Sequence, residues 1–149
     1  MIKIPGHIYH GIYLHGEETY NEECCGAIFG YSNEYGKDVR EIMKFKNEKD
    51  ESRQNRYLIS PAEYLSAEKT AKEKNLELIG FYHSHPDHPA VPSKFDTDHA
   101  FPWFLYIIVS VQKGKAADLR GWTLEESREK FNEEILEKIK LTVEEKVNY

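Results

Sequence analysis

The 149 residues, 40% of them hydrophobic and 31% charged, have the size and composition of one soluble domain over 1–149, with no room for a second of ordinary size. Lys and Arg total 20 against 26 Asp and Glu, a net charge of −6, which speaks against a phosphate-neutralising surface and hence against nucleic-acid partners. The opening Met1-Ile2-Lys3-Ile4-Pro5-Gly6 lacks the apolar run of a signal peptide, and no stretch nears the roughly 20 apolar residues of a membrane span, so a cytoplasmic protein with no membrane partner is expected.

Ile8, Ile12 and Leu14, set among His, Tyr and Glu, predict an opening helix over residues 7–21. His7, His10 and His15 lie on it without metal-binding spacing and are read as exposed or half-buried. Cys24 and Cys25 are adjacent, which excludes a loop-closing disulfide between them; reduced thiols packed in the core are expected rather than a nucleophile. Ala27–Tyr31, short and apolar, and Val39–Lys46, alternating, predict neighbouring strands. Asn47 to Arg56 is wholly polar and predicts an exposed loop leading into a short strand, Tyr57–Ile59. Arg53 and Arg56 in that loop read equally as solvated cations or as a steering patch for an acidic protein partner.

Ser60-Pro61, with Glu63 three residues after the serine, predicts a capping box and a helix to about Lys74. Leu76–Tyr82 and Phe104–Val111 predict central strands, and Ala117–Leu124 returns after a Gln112–Lys115 turn. Beyond Leu124, Phe131, Ile135, Ile139 and Val143 recur every four residues as on a helix, yet Phe131 and Ile135 suit a strand equally, so this end stays open. Strands interspersed with helices, without internal repeats, predict an α/β domain with a mixed central β-sheet flanked by helices.

The chemistry concentrates between Tyr82 and Ala100. His83 and His85 stand two apart at a strand's end and project to one side, so their imidazoles can converge on one ion before Pro86 ends the ladder. Ser93 and Asp96 have the serine-to-acid spacing of a helix start, which puts a carboxylate in the first turn, and the intervening loop can fold Asp96 back to the histidines. Two imidazoles and one carboxylate suit tetrahedral Zn²⁺ with an open fourth position. Hydrolysis of an amide there needs a carboxylate outside the ligand set to move the water proton, and Glu23 is a candidate.

These residues resemble the JAMM or MPN+ metalloproteases, whose signature is a distant glutamate plus His-x-His-x7-Ser-x2-Asp. Seven residues separate His85 from Ser93, and two separate Ser93 from Asp96. The family's glutamate stands three residues before a glycine that opens an apolar strand; Gly26 selects Glu23 over Glu22. The resemblance runs over roughly residues 5–124 and takes in Asn47, Ser60-Pro61, Gly80-Phe81-Tyr82 and Gly121-Trp122. It implies the three-layer JAB/MPN architecture, similar to cytidine deaminases. It also implies zinc held by His83, His85 and Asp96, with Glu23 as general acid/base and Ser93 at the water and the oxyanion. The compact bacterial members act on ubiquitin-like sulfur-carrier proteins, cutting the amide after a C-terminal Gly-Gly and releasing an amino acid such as cysteine or an extension. A deubiquitinase-like isopeptidase and a non-catalytic module that binds ubiquitin-like tails are the alternatives.

A second motif overlaps the first. His83-x-His85-x-Asp87-His88 matches the His-x-His-x-Asp-His of metallo-β-lactamase-type hydrolases. That fold stacks two sheets in chains usually above roughly 200 residues and draws further ligands from far downstream, where this chain offers only His99 after His88. Asp87 and His88 are therefore expected at the rim of the site.

Overall fold

The computed structural model describes residues 1–46 and 59–140. In chain order the elements are β1 (Ile2–Pro5), α1 (Gly6–Thr19), β2 (Cys25–Asn33), β3 (Gly36–Lys44), α2 (Pro61–Glu73), β4 (Glu77–Pro86), α3 (Lys94–His99), β5 (Leu105–Gln112), β6 (Lys115–Leu124), β7 (Phe131–Glu134) and β8 (Leu136–Ile139). The strands form one mixed eight-stranded sheet in the order β7-β6-β5-β4-β2-β3-β1-β8. β4 lies inside it, antiparallel to β2 and parallel to β5, so both of its backbone edges are hydrogen-bonded. A side chain at its end is held by two neighbours.

Helices cover both faces, as the layered reading expects. On one face α1 lays Ile8 and Ile12 against Ile28, Ile107 and Val109. A Cβ on Gly16 would stand 2.9 Å from a Val111 methyl, so the missing side chain lets the helix press directly onto the sheet. On the other face Ala67 and Ala71 of α2 pack with Phe29, Phe81 and Phe104. Cys24 and Cys25 belong to opposite faces, because successive strand residues point opposite ways; both are buried and no disulfide joins them.

The start of α2 follows its sequence signal. Glu63 N–H donates to the Ser60 hydroxyl at 3.1 Å, and Ser60 N–H donates back to the Glu63 carboxylate at 2.9 Å. The buried stripe of α1 differs from the expected one, since it runs Ile8, Ile12, His15, Gly16 and leaves Leu14 42% exposed. Starting from Ile8, a 3.6-residue period brings residue 15 onto the core and turns residue 14 away. His15, expected to be at least half-exposed, is therefore buried, with its Nδ1 2.7 Å from the Tyr82 hydroxyl.

The open C-terminal end is β-structure as far as Ile139. A four-residue recurrence is also twice the period of a strand, so the pattern of Phe131, Ile135 and Ile139 could not choose. β7 pairs antiparallel with β6 and β8 pairs parallel with β1, with Ile135 alone between them. The two ends of the strand order are thus successive pieces of one extended segment, and the sheet curls round the α1 face to meet itself. β1 had no clear sequence signal because it has only four residues, though Ile2 and Ile4 are among the most buried side chains. The expected Asn47–Arg56 loop, Tyr57, Leu58 and Val143 lie outside the described residues, and Ile59 is not in a strand. No helix among the described residues is long and apolar enough to cross a membrane.

Two measurements check this packing. Ile12→Ala should destabilise the fold by about 2–5 kcal/mol in denaturant unfolding, whereas Leu14→Ala should stay within about 0.5 kcal/mol of the parent. Burial lowers the His15 pKa to about 4. The native state then refuses a proton that the unfolded chain accepts near pH 6.5, so stability falls with acidification, by about 2 kcal/mol between pH 7 and pH 5. His15→Gln should flatten that slope in metal-free protein.

Candidate metal centre

Cys25 of β2 lies directly across from His83 of β4. Both therefore face the α2 and α3 side of the sheet, and His85, two residues on, faces the same way. The partner carboxylate comes from the first turn of α3. Asp96 N–H donates to the Ser93 hydroxyl at 3.1 Å, and Ser93 N–H donates to Asp96 Oδ2 at 2.8 Å, the reciprocal cap that the Ser-x-x-Asp spacing predicts. This turn aims Asp96 at β4. Its Oδ1 lies 3.2 Å from His83 Nε2 and its Oδ2 3.2 Å from His85 Nε2, and the two Nε2 atoms are 3.2 Å apart.

Two imidazole nitrogens and a carboxylate meet here, Asp96 facing each histidine with a different oxygen. Bonds of about 2.0–2.1 Å in a tetrahedral zinc site place neighbouring ligand atoms about 3.3 Å apart, close to the 3.2 Å between the two Nε2 atoms and between each of them and one carboxylate oxygen. The tautomer agrees. His85 Nδ1 is 2.8 Å from the Pro89 carbonyl; a carbonyl only accepts, so Nδ1 carries the hydrogen and the Nε2 lone pair points into the cluster. His83, His85 and Asp96 are all buried, and they are the one such ligand cluster among the described residues. Burial holds the His83 imidazole below its ordinary pKa. Burial alone would raise the Asp96 carboxyl, but His83 and the Ser93 N–H outweigh it and hold that carboxyl well below the usual range. Both shifts favour the deprotonated donors a divalent cation needs.

An open cleft of about 560 Å³ lies over the cluster, lined by Glu23, His85, His88, Ser93 and Asp96 with an apolar wall that includes Pro86, Pro89 and Phe95. The structure thus brings every expected site residue to one place: Glu23, itself buried, from the segment before β2, Ser93 and Asp96 from α3, and the histidines from β4. Ser93 uses its oxygen to accept the Asp96 N–H, which leaves its own O–H as a donor. Burial pushes the Cys24 thiol up to about 11, so it is un-ionised at neutral pH and remains a packing residue.

Of the two rim residues, His88 lines the cleft and Asp87 does not. The Asp87 carboxylate accepts from the Tyr20 hydroxyl at 2.6 Å and from the Lys113 N–H at 2.8 Å, on the side away from the cluster. The overlapping His-x-His-x-Asp-His reading is thereby excluded. Sequence reading missed the carbonyl partners that shape the loop: Pro89 O for His85, Ala90 O for Trp122 Nε1 at 3.0 Å, and His88 O for the Ser110 hydroxyl at 2.6 Å. Backbone acceptors leave no mark in residue spacing.

The family described as prokaryotic homologs of the JAB domain matches residues 5–125. The chain is 30% identical over 141 residues to the desampylase of Pyrococcus furiosus, covering 95% of this chain and 89% of that protein. It is 32% identical over 108 residues to the desampylase of Haloferax volcanii, covering 72% and 74%. Among solved structures, a Salinibacter ruber protein superposes with a TM-score of 0.73 at 38% identity over 93% of this chain and 92% of that one. A Desulfitobacterium hafniense protein superposes with a TM-score of 0.79 at 24% identity over 94% and 95%, a likeness of fold.

Zinc titration of ligand variants separates the two overlapping motifs. Asp96→Asn and His85→Ala should each weaken binding more than about 100-fold, beyond the loss usual for an outer partner. Asp87→Asn leaves all three donors of the cluster in place and should weaken binding by no more than about 10-fold.

Proposed function

Since the chain belongs to the family of prokaryotic homologs of the JAB domain, we propose that it is a zinc-dependent hydrolase that cuts the amide or isopeptide bond following the C-terminal Gly-Gly of a ubiquitin-like protein. The observation that carries this reading is the meeting of a three-donor cluster, Glu23 and Ser93 in one cleft. His83, His85 and Asp96 would hold the ion. Bound there, zinc supplies Lewis acidity that makes water a nucleophile near neutral pH and polarises the scissile carbonyl.

The protein's own groups move the protons. Glu23 takes one from the attacking water as the carbon–oxygen bond forms and delivers it to the leaving nitrogen as the carbon–nitrogen bond breaks, giving a carboxylic acid and an amine. The Ser93 O–H donates to the oxygen on which negative charge develops. A Gly-Gly tail suits such a site because residues without side chains let the backbone approach the reacting groups closely.

Two leaving groups compete. The name shared by the Pyrococcus and Haloferax relatives, desampylase, favours an isopeptidase that frees a ubiquitin-like modifier from the amine of a target. The sulfur-carrier form of the reading keeps the same tail and bond but releases an amino acid or extension from the carrier's C-terminus. Presenting one ubiquitin-like protein, joined through Gly-Gly either to a lysine side chain or to a C-terminal peptide, distinguishes them by which substrate has the higher kcat/KM. In either case Glu23→Gln should keep its zinc and lose about 100- to 10,000-fold in kcat, the range for an acid–base group. Chelation should abolish cutting and zinc restore it. Full-rate cleavage by Glu23→Gln would overturn the assignment, and tail binding by the zinc-loaded parent without any cleavage would leave a binding module in its place.

A further inference from the structure

We propose that Ser84, the residue between the two histidines, is a positioning residue that sets Glu23 relative to the metal ligands. The proposal rests on the acid–base reading of Glu23 above. Ser84 has no exposed surface and points to the α1 face, opposite to its neighbours His83 and His85. Its hydroxyl accepts the Cys24 N–H at 2.8 Å, and its own N–H donates to the Cys24 carbonyl at 3.1 Å.

The first bond is the informative one. Cys24 N belongs to the peptide unit that Glu23 begins, so fixing it fixes the plane in which Glu23 leaves its Cα. Regular pairing of β2 with β4 starts one residue later, at Cys25 and His83. At the position where the ladder stops, a side-chain oxygen holds the strand start against β4. The strand that carries two ligands and the segment that carries the base are thereby joined next to both.

α1 closes this contact from behind. A Cβ on Gly16 would lie 3.6 Å from the Ser84 Cβ, which leaves no layer of water between the helix and the strand at that point. Cys24 is itself buried, so its N–H has the Ser84 oxygen in place of solvent. Removing that oxygen frees the Glu23 peptide to rotate while the histidines keep their places on β4. A displacement of about 1 Å at a reacting group can cost about 100-fold in rate.

The test uses the zinc-loaded 149-residue chain and a ubiquitin-like protein joined through Gly-Gly to a reporter. Ser84→Ala should bind one zinc as tightly as the parent and keep KM within about twofold, while kcat falls about 10- to 100-fold. Ser84→Cys, close to serine in volume and a weak acceptor, should fall between the two. In a Glu23→Gln background, Ser84→Ala should cost no further rate, because a residue that acts through Glu23 has nothing left to place. An additive loss in that background, an unchanged kcat in Ser84→Ala, or loss of zinc or fold in that variant overturns the proposal while leaving the role of Glu23 standing. Full activity in Glu23→Gln alone overturns the role of Glu23 and this proposal with it.

Discussion

One carboxylate does two jobs, and the centre depends on that. Asp96 Oδ2 accepts the Ser93 N–H that starts α3 and also faces His85 Nε2. α3 has six residues, too few for a helix to hold itself in water. It is kept by its reciprocal cap and by Arg128, whose guanidinium donates to the Ala100 and Thr97 carbonyls at the other end. The cap therefore positions the Asp96 carboxylate, and disturbing the helix start disturbs the cluster. The electrostatics follow. Burial holds His83 below its ordinary pKa, and the groups around Asp96, the Ser93 N–H among them, hold its carboxyl well below the usual range, so the cluster gathers a buried negative charge. A cation is the natural counter-charge for such a cluster, since buried charge is tolerated when paired or ligated.

The rest of the fold makes this arrangement stiff. β4 has a strand on either side, and its two faces are used differently. Towards α1 it presents Tyr82 and Ser84, each tied by a hydrogen bond to His15 and to Cys24 respectively. Towards α3 it presents His83 and His85 beneath the cleft. Alternation along one strand thus separates the side chains that tie it to α1 and β2 from the two histidines of the cluster. The outermost strands join through Ile135, so the sheet that carries β4 has its two ends continuous in the chain.

The centre was legible because its parts are local. Strand alternation aligned His83 with His85, and the cap spacing placed Asp96, both from stretches of a few residues. Glu23 was different: only its distance from Gly26, set beside a known family, distinguished it from Glu22. The fold was legible where an element carries its own signal, as at the Ser60 cap, and illegible where partners are distant. β1 and β8 pair with strands far along the chain, and four residues of Ile2–Pro5 or Leu136–Ile139 cannot announce that. Leu14 and His15 exchanged places because the stripe of α1 was read from three residues, too few to fix its phase.

The overlapping motif shows why spacing alone cannot assign a ligand. Both readings need His83 and His85, and they part at the third donor, Asp87 or Asp96. Pro86 ends β4, and Asp87 turns through a left-handed backbone at φ 58°, a conformation that aspartate adopts more readily than most residues. The turn sends its carboxylate back to the Lys113 N–H and the Tyr20 hydroxyl, two donors that hold it below its ordinary pKa. Asp87 is thus committed to joining the ends of α1 and β5 beneath the site loop. Its work there is to hold that loop, and with it Pro89, whose carbonyl fixes the tautomer of His85. The residue that spacing offered as a rival to Asp96 thus sits beside the loop that orients His85.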